Sequence, residues 1–240
     1  MNQSGSAPTE PMTVLVTSFQ KEASIHGCLC QLISVLDESN IPFQIVLLDD
    51  ASSDRTIAEA SKVQDQRLTI RPGMTNHGKG KLIRENISSV SDSIVGVFDG
   101  DLDLHPKTLV EGYFLLQNDK TIGAAVGSKL HPLSIVDYPM KRKILSRIFQ
   151  FVSRIMFGLN IGDTQTGAKV FRTADLTNVC EQAVADGFVF DLEILVRMNS
   201  LGLKVVEIPI ELDYKFDSTI GLGSTLKTGR DIVRVWRAIK

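Results

Sequence analysis

Cysteine is scarce in this sequence, and its distribution excludes a disulfide-stapled fold. The three cysteines, Cys28, Cys30 and Cys180, are odd in number, and the first two are too close for an ordinary disulfide. No cluster of cysteine and histidine residues completes a four-ligand zinc site. We therefore expect reduced cysteines in the core of a cytosolic protein.

Long apolar runs are also missing. No run reaches the ~18 residues of a membrane-spanning helix, and the polar N-terminus lacks the apolar segment of a signal peptide. With 43% apolar and 22% charged residues, the composition excludes a disordered chain. We expect a disordered leader over residues 1–11 and one folded domain over residues 12–240. The net charge of −2 predicts no nucleic-acid partner.

Short apolar runs alternate with helical patterns through the first half of the chain. The strand patterns lie at 14–16, 44–48, 67–71, 94–98 and 122–126, and the helical patterns at 22–38, 54–64, 81–91 and 106–118. The continuous apolar runs at 44–48 and 94–98 are typical of strands buried on both faces of a parallel sheet. The alternation predicts an α/β fold with a mainly parallel central sheet and helices on both faces. In such sheets, ligands bind beyond the carboxyl ends of the strands.

An acidic cluster follows one of these strands. In an extended segment, Asp99, Asp101 and Asp103 project to one side, where their charges repel unless a cation lies among them. Mg²⁺ and Mn²⁺ prefer carboxylate oxygens and share them with substrate phosphates. The cluster therefore predicts a divalent metal site, with a solvated turn ahead of Pro106 as the alternative.

Two further segments carry ligand-binding residue types. Asp49 and Asp50 end an apolar strand, where a carboxylate can bind a ribose or a base. The glycines of residues 76–80 allow a close backbone approach to a ligand, and Lys79 can meet a diphosphate. The alternative for residues 76–80 is a flexible surface turn.

A basic amphipathic helix is predicted over residues 141–157. Lys143, Arg147 and Arg154 lie on one side of a helical wheel, with apolar residues opposite, and no acid occurs between Tyr138 and Gly162. Such a helix suits either an anionic lipid surface or ordinary packing against the core.

In this order, the motifs resemble glycosyltransferase family 2, which has the GT-A fold, and most closely its polyprenyl- or dolichyl-phosphate sugar transferases. The resemblance covers about residues 12–230. The matching stretches are residues 49–56, 76–80, 99–101, 163–172, 190–195 and 202–210.

The resemblance implies an inverting, metal-dependent hexosyltransferase. It would move a sugar from a UDP- or GDP-linked donor to a polyprenyl or dolichyl phosphate. The implied protein lies at the cytoplasmic face of a membrane as a peripheral protein. The resemblance allows two kinds of protein partner, a membrane protein and a second copy of the chain.

The resemblance also implies residue roles. Asp101 and Asp103 would bind Mg²⁺ or Mn²⁺, so that Asp101 is catalytic through the metal, and Asp99 would contact the ribose or order the metal site. Lys79 would bind the donor diphosphate, and Asp49 or Asp50 the nucleoside.

Lys129 and Arg142 match the basic residues that position the acceptor phosphate. An ionised phosphate needs no strong general base. A hydroxyl acceptor would need one, and Asp163 and Asp191 are the catalytic candidates for that role.

The sequence departs from the family in two places. The usual Asn-Glu pair after the first strand reads Gln20-Lys21, so that Glu22 is the remaining acid for nucleotide binding. The late RxxGxSK motif, at residues 219–225, lacks its Arg and Lys. Besides the lipid-phosphate transferase, two alternatives remain: a family 2 enzyme with a hydroxyl acceptor, and a nucleotide-sugar-binding module with weakened catalysis.

Overall fold

The computed structural model describes residues 10–137, 150, 153–213 and 222–239. The strands are β1 (Met12–Ser18), β2 (Phe43–Asp49), β3 (Leu68–Pro72), β4 (Ile94–Asp99), β5 (Ile122–Gly127), β6 (Ile135–Asp137), β7 (Ala168–Arg172), β8 (Lys204–Ile208) and β9 (Glu211–Asp213). The helices are α1 (Ile25–Glu38), α2 (Thr56–Ala60), α3 (Lys79–Ile87), α4 (Lys107–Asn118), α5 (Thr173–Gln182), α6 (Phe190–Ser200) and α7 (Leu222–Ile239).

Seven strands form the central sheet in the order β3-β2-β1-β4-β7-β5-β8. All neighbouring pairs are parallel except the two that β7 makes, with β4 and with β5. Strands β6 and β9 form a separate parallel pair. The predicted α/β fold with a mainly parallel sheet is confirmed, and β7 is an antiparallel strand that the alternation did not predict.

The inner strands β1, β4 and β5 are buried on both faces, which explains their continuous apolar sequences, whereas the edge strands β3 and β8 are only partly buried. Along β1, Val14 and Val16 pack into one apolar core, whereas Leu15 packs into a second core on the opposite face. Helices α1 and α4 cover the first core, and α3, α5 and α6 cover the second. Helices therefore lie on both faces, as predicted.

Two local predictions need correction. Cys28 and Cys180 are buried and free, but Cys30 is exposed on α1 rather than in the core. Residues 79 and 80 form the first turn of α3 rather than a loop before a helix at 81. A Cβ on Gly80 would overlap Phe190 of α6, so glycine at this position lets the first turn of α3 pack closely against α6.

No helix among residues 10–137, 153–213 and 222–239 has both the length and the apolar character needed to cross a bilayer.

A buried charge pair joins α6 to the turn before it. Glu193 is fully buried and accepts hydrogen bonds from the backbone N–H groups of Val184 and Ala185, at 2.9 and 2.7 Å. Its other oxygen pairs with Arg197 Nη2 at 2.7 Å. A buried carboxylate with these partners fixes the position of α6, whose first residues face the strand ends.

We expect Arg197→Met to lower the free energy of unfolding by ~3–5 kcal/mol, because it leaves the Glu193 carboxylate buried without its cation. Guanidinium unfolding measures the change. Lys62→Met, which breaks the exposed Lys62–Glu59 pair, is the matched control and should change stability little. Equal effects of the two variants would contradict the structural role of Glu193.

Candidate active site

The loops that leave β1, β2 and β4 share an unusual backbone conformation. Gln20, Ala51 and Leu102 have φ angles of 54°, 60° and 65°, in the left-handed region that favours glycine. Each such residue costs ~1–2 kcal/mol, so the surrounding contacts must hold it in place. The three residues follow neighbouring parallel strands, at the edge of the sheet where ligands bind.

The loops after β1 and β2 are hydrogen-bonded to each other. Gln20 N donates to Ser52 Oγ at 2.9 Å, Glu22 N donates to Asp54 Oδ2 at 3.1 Å, and Glu22 Oε2 accepts from Arg55 N at 3.0 Å. In this structure the Glu22 carboxylate thus braces the loop after β2. Its role in nucleotide binding stays a prediction.

Asp49, at the end of β2, is buried beneath these loops. Its Oδ1 accepts from Ser18 Oγ at 3.0 Å and from Ser52 Oγ at 2.6 Å, and its Oδ2 accepts from Ser52 N at 2.8 Å. The carboxylate therefore connects β1, β2 and the loop after β2. A nucleoside contact by Asp49 stays a prediction.

Asp50 shapes the segment that precedes α3. Its two carboxylate oxygens accept from the backbone N–H groups of His77 and Gly78, both at 2.8 Å. Gly78 has a φ of 94°, which a residue with a Cβ rarely adopts. Asp50 and Gly78 together place Lys79 at the start of α3 and aim it toward β4. A nucleoside contact by Asp50 stays a prediction.

Lys79 bridges the acidic cluster to α6. Its Nζ lies 2.9 Å from Asp99 Oδ1 and 3.1 Å from Asp191 Oδ2. Burial alone would lower the pKa of Lys79, but the charges of Asp191 and Asp99 outweigh burial and raise this pKa above its usual range. Lys79 therefore stays positively charged beside the acidic cluster.

Lys169, the second residue of β7, completes this network. It is 2% exposed, and its Nζ donates to Asp191 Oδ1 at 2.7 Å and to the carbonyl of Thr166. Burial lowers the pKa of Lys169. Burial would raise the pKa of Asp191, but the two lysines more than compensate, and its pKa is lowered.

Lys169 is a residue that sequence reasoning missed. It lies in the matched stretch of residues 163–172, but the sequence predicted no function for it. The available signal was a lysine inside the apolar run Ala168-Lys169-Val170-Phe171, since a charge there must find a buried partner.

Gly167 allows β7 to approach the acidic cluster. Its carbonyl accepts from Asp99 N at 2.9 Å, and a Cβ at this position would overlap the Asp99 carboxylate. Only glycine fits here without moving the first acid of the cluster.

The acidic cluster carries uncompensated negative charge at its second position. Burial and the like charges of Asp99 and Asp103 raise the pKa of Asp101 to about 6, and Lys21 offsets this only in part. Asp99 pairs with Lys79, whereas Asp101 lies between two like charges and accepts a hydrogen bond from Asp103 N at 3.3 Å.

The donor set fits a hard divalent cation with an incomplete protein shell. Within the described residues, no three His, Cys, Asp or Glu side chains converge as a metal site of their own. Mg²⁺ commonly uses one or two carboxylates and takes its remaining ligands from water and substrate phosphates. Asp101 and Asp103 meet that requirement.

A second ion pair lies beside the cluster, at the end of β5. Lys129 Nζ is 2.6 Å from Asp163 Oδ2, and the same oxygen accepts from Thr166 Oγ1 at 2.5 Å. Burial would raise the pKa of Asp163, but Lys129 reverses this and lowers it. The structure thus pairs the predicted acceptor residue Lys129 with one of the two predicted bases.

The structure joins Lys79, Asp99 and Asp191 directly. It places Asp49, Asp50, Asp101, Asp103 and Lys129 at the same edge of the sheet. Arg142, Lys143 and Arg147 lie outside the described residues, as do residues 1–9 and positions 219–221 of the late motif. Of the predicted basic helix, residues 153–157 are described as helical; Arg154 is exposed there. Ile155, which belongs to the apolar side of that predicted helix, is 67% exposed and so does not pack against the core.

Curated proteins similar to this chain include a glycosyltransferase and two lipid-phosphate enzymes. Glycosyltransferase AglD of Haloferax volcanii is 26% identical over 94% of this chain, which spans only 37% of that relative. The dolichyl-phosphate beta-glucosyltransferase of Saccharomyces cerevisiae is 25% identical over 92% of this chain and 73% of its own length. That of Drosophila melanogaster is 22% identical over 96% of this chain and 76% of its own length.

Solved structures share the fold. Glucosyl-3-phosphoglycerate synthase of Mycobacterium tuberculosis, in complex with UDP, superposes with a TM-score of 0.70 at 18% identity, over 95% of this chain and 79% of its own. Another crystal structure of that enzyme contains Mn²⁺, UDP-glucose and phosphoglyceric acid, with the same TM-score and identity over 94% of this chain and 78% of its own.

A family model described as glycosyl transferase family 2 matches residues 13–179, from the first strand through the acidic cluster, β7 and most of α5. With this match across most of the chain, and with the GT-A architecture built around the acidic cluster, the chain belongs to glycosyl transferase family 2.

Proposed function

We propose that this chain transfers a hexose, with inversion, from a UDP- or GDP-linked sugar to a polyprenyl or dolichyl phosphate. The relatives named dolichyl-phosphate beta-glucosyltransferase support this acceptor class. On this proposal the chain works as a peripheral protein at the cytoplasmic face of a membrane.

The proposal of a phosphate acceptor rests on the pairing of the two candidate bases with lysines. Asp163 and Asp191 both have a lowered pKa, because each carboxylate is paired with lysine. An efficient general base has a pKa near the working pH, so neither carboxylate suits the activation of a neutral hydroxyl. An acceptor phosphate is already ionised and needs no such base.

The residues of the site divide between donor and acceptor. Asp101 and Asp103 would bind Mg²⁺ or Mn²⁺, which would neutralise the charge that develops on the leaving diphosphate. Lys79 lies against Asp99 and is placed to meet the diphosphate from the α3 side. Lys129 presents an ammonium group at the end of β5, where it would position the acceptor phosphate with Arg142.

The direct test is transfer of labelled sugar from UDP-glucose or GDP-mannose, with Mn²⁺, to a polyprenyl phosphate. We expect transfer to the lipid phosphate, and none to the matching polyprenol, whose hydroxyl would need a base. Transfer to the polyprenol at an equal rate would contradict the proposed acceptor class. Absence of transfer with either nucleotide, together with tight nucleotide binding, would favour the binding module.

We expect Asp101→Asn to remove most of the activity and the metal dependence of nucleotide binding, because it halves the carboxylate charge facing the cation. Calorimetric titration of UDP and GDP, with Mn²⁺ and with a chelator, measures the dependence. The control is Asp92→Asn. The Asp92 carboxylate accepts a hydrogen bond from Thr13 Oγ1 at 2.6 Å near the opposite end of the strands, so this variant should retain the metal dependence. Equal wild-type affinity with and without metal would refute the metal role.

We expect Lys129→Gln to raise the acceptor KM ~10-fold or more, since a charge-assisted hydrogen bond contributes about 1.5–3 kcal/mol. Nucleotide affinity should stay nearly unchanged. Lys129→Arg should restore a low acceptor KM, because the guanidinium keeps the charge and adds a bidentate fork. Steady-state kinetics with varied acceptor concentration gives the acceptor KM of the wild type and of the two variants. A parallel loss of donor affinity in Lys129→Gln would place this lysine in the donor site.

A further inference from the structure

An exposed apolar segment begins one residue after Lys129. Its large side chains are Leu130, Leu133 and Ile135, which are 40%, 74% and 67% exposed. We call residues 130–135 the apolar loop. Single exposed apolar side chains are ordinary on a protein surface, but three large ones within six positions are the kind of feature that marks an interaction site.

The backbone N–H groups of the apolar loop are all hydrogen-bonded within the protein. Pro132 has no N–H. The N–H groups of Leu130 and His131 donate to Ser128, to its Oγ at 3.2 Å and to its carbonyl at 3.3 Å. Those of Leu133 and Ser134 donate to His131, to its Nδ1 at 3.3 Å and to its carbonyl at 3.0 Å. The N–H of Ile135 donates to the carbonyl of Ile210 at 2.9 Å. The Ser134 hydroxyl donates to Ser128 O at 2.6 Å and accepts from Ile210 N at 3.0 Å. Exposed apolar side chains on a backbone with bonded N–H groups can enter a phase that offers no hydrogen bonds.

The surroundings of the apolar loop carry both apolar surface and positive charge. Leu130 lines a cavity of about 340 Å³, whose other lining residues include Glu207 and the exposed Arg154. Ile155, next to Arg154, is itself largely exposed. Of the neighbouring acids, Glu207 accepts a hydrogen bond from Asp163 N, and Glu211 lies opposite Ile135 in the β6–β9 pair. Anionic headgroups would complement Arg154 while the apolar side chains enter the acyl region.

We propose that the apolar loop is a membrane-docking surface that inserts Leu133 and Ile135 into a phospholipid bilayer. The inference deepens the proposed function and rests on it for its purpose, because a polyprenyl phosphate is embedded in a bilayer and its phosphate must reach Lys129. A loop anchored one residue beyond that lysine sets the depth of the site against the lipid surface. This assignment adds a second surface to the basic helix predicted over residues 141–157.

The test is co-sedimentation of the full chain with vesicles of phosphatidylcholine alone, and of phosphatidylcholine mixed with phosphatidylglycerol in equal parts. Leu133→Asp should weaken partitioning into both vesicle types by about tenfold or more, because a charged group replaces an inserted apolar one. The matched control is Leu201→Asp. Leu201 is 49% exposed and precedes β8, whereas the apolar loop follows the end of its parallel neighbour β5. The control should partition like the wild type.

A gain-of-function variant keeps the test independent of any folding defect. Leu133→Trp should bind vesicles more tightly, since tryptophan favours the membrane interface, and its added fluorescence should shift to shorter wavelength on binding. Vesicle binding that is indifferent to both Leu133 variants, or absent in the wild type, overturns the proposal. So does a concentration-dependent dimer that Leu133→Asp abolishes, because the apolar loop would then face a second copy of the chain.

A second readout separates this proposal from the proposed function. With a short, detergent-free isoprenyl phosphate as acceptor, Leu133→Asp should transfer sugar at the wild-type rate; with long-chain acceptor in vesicles it should lose activity. Wild-type vesicle binding that needs Leu133, without transfer to either acceptor, would refute the proposed acceptor and leave the docking surface standing. Equal loss of activity with both acceptors would refute the docking role.

Discussion

The pairing of buried Asp191 with two lysines is the interaction on which the site depends. Asp191 lies at the start of α6, Lys79 at the start of α3 and Lys169 in β7, so one carboxylate joins three elements that are distant in sequence. Any one of these charges would be costly to bury alone. The second contact of Lys79, to Asp99, extends the network to the acidic cluster. The position of Asp99, the first acid of the cluster, is therefore fixed by contacts with α3 and β7 as well as by its own strand.

The loops around the site show how the fold keeps an unfavourable backbone in place. Ala51 follows Asp49 and Asp50, whose carboxylates bond to neighbouring segments on both sides. The strain of a left-handed residue is offset by these bonds, because each one closes a loop against a rigid strand end. Carboxylates expected from the sequence to meet a nucleoside thus also act as internal braces.

The sequence predicted the parts of the structure that local pattern determines. Apolar runs located the first five strands, and acids directly after two of them located the edge of the site. The direction of β7 was beyond such reasoning, because Ala168–Arg172 reads the same in either orientation and its direction is decided by pairing with β4 and β5. The partners of Lys79 were also unpredictable, since they come from β4 and α6. Motif order revealed the family, but the pairing of Lys129 with Asp163 required coordinates.

The antiparallel direction of β7 returns the chain to the sheet beside the point where β5 leaves it. Strand β5 ends at Gly127 and β7 begins at Ala168, and their pairing sets Val126 beside Lys169. Everything between them, including Lys129, Asp163 and the apolar loop, leaves and returns at adjacent points of one sheet. None of the strands β1, β2 and β4, which carry the acidic cluster and the loops around it, lies within this segment. On the proposed function, the part of the chain that would meet the acceptor is therefore continuous in sequence and separate from the part that would hold the metal.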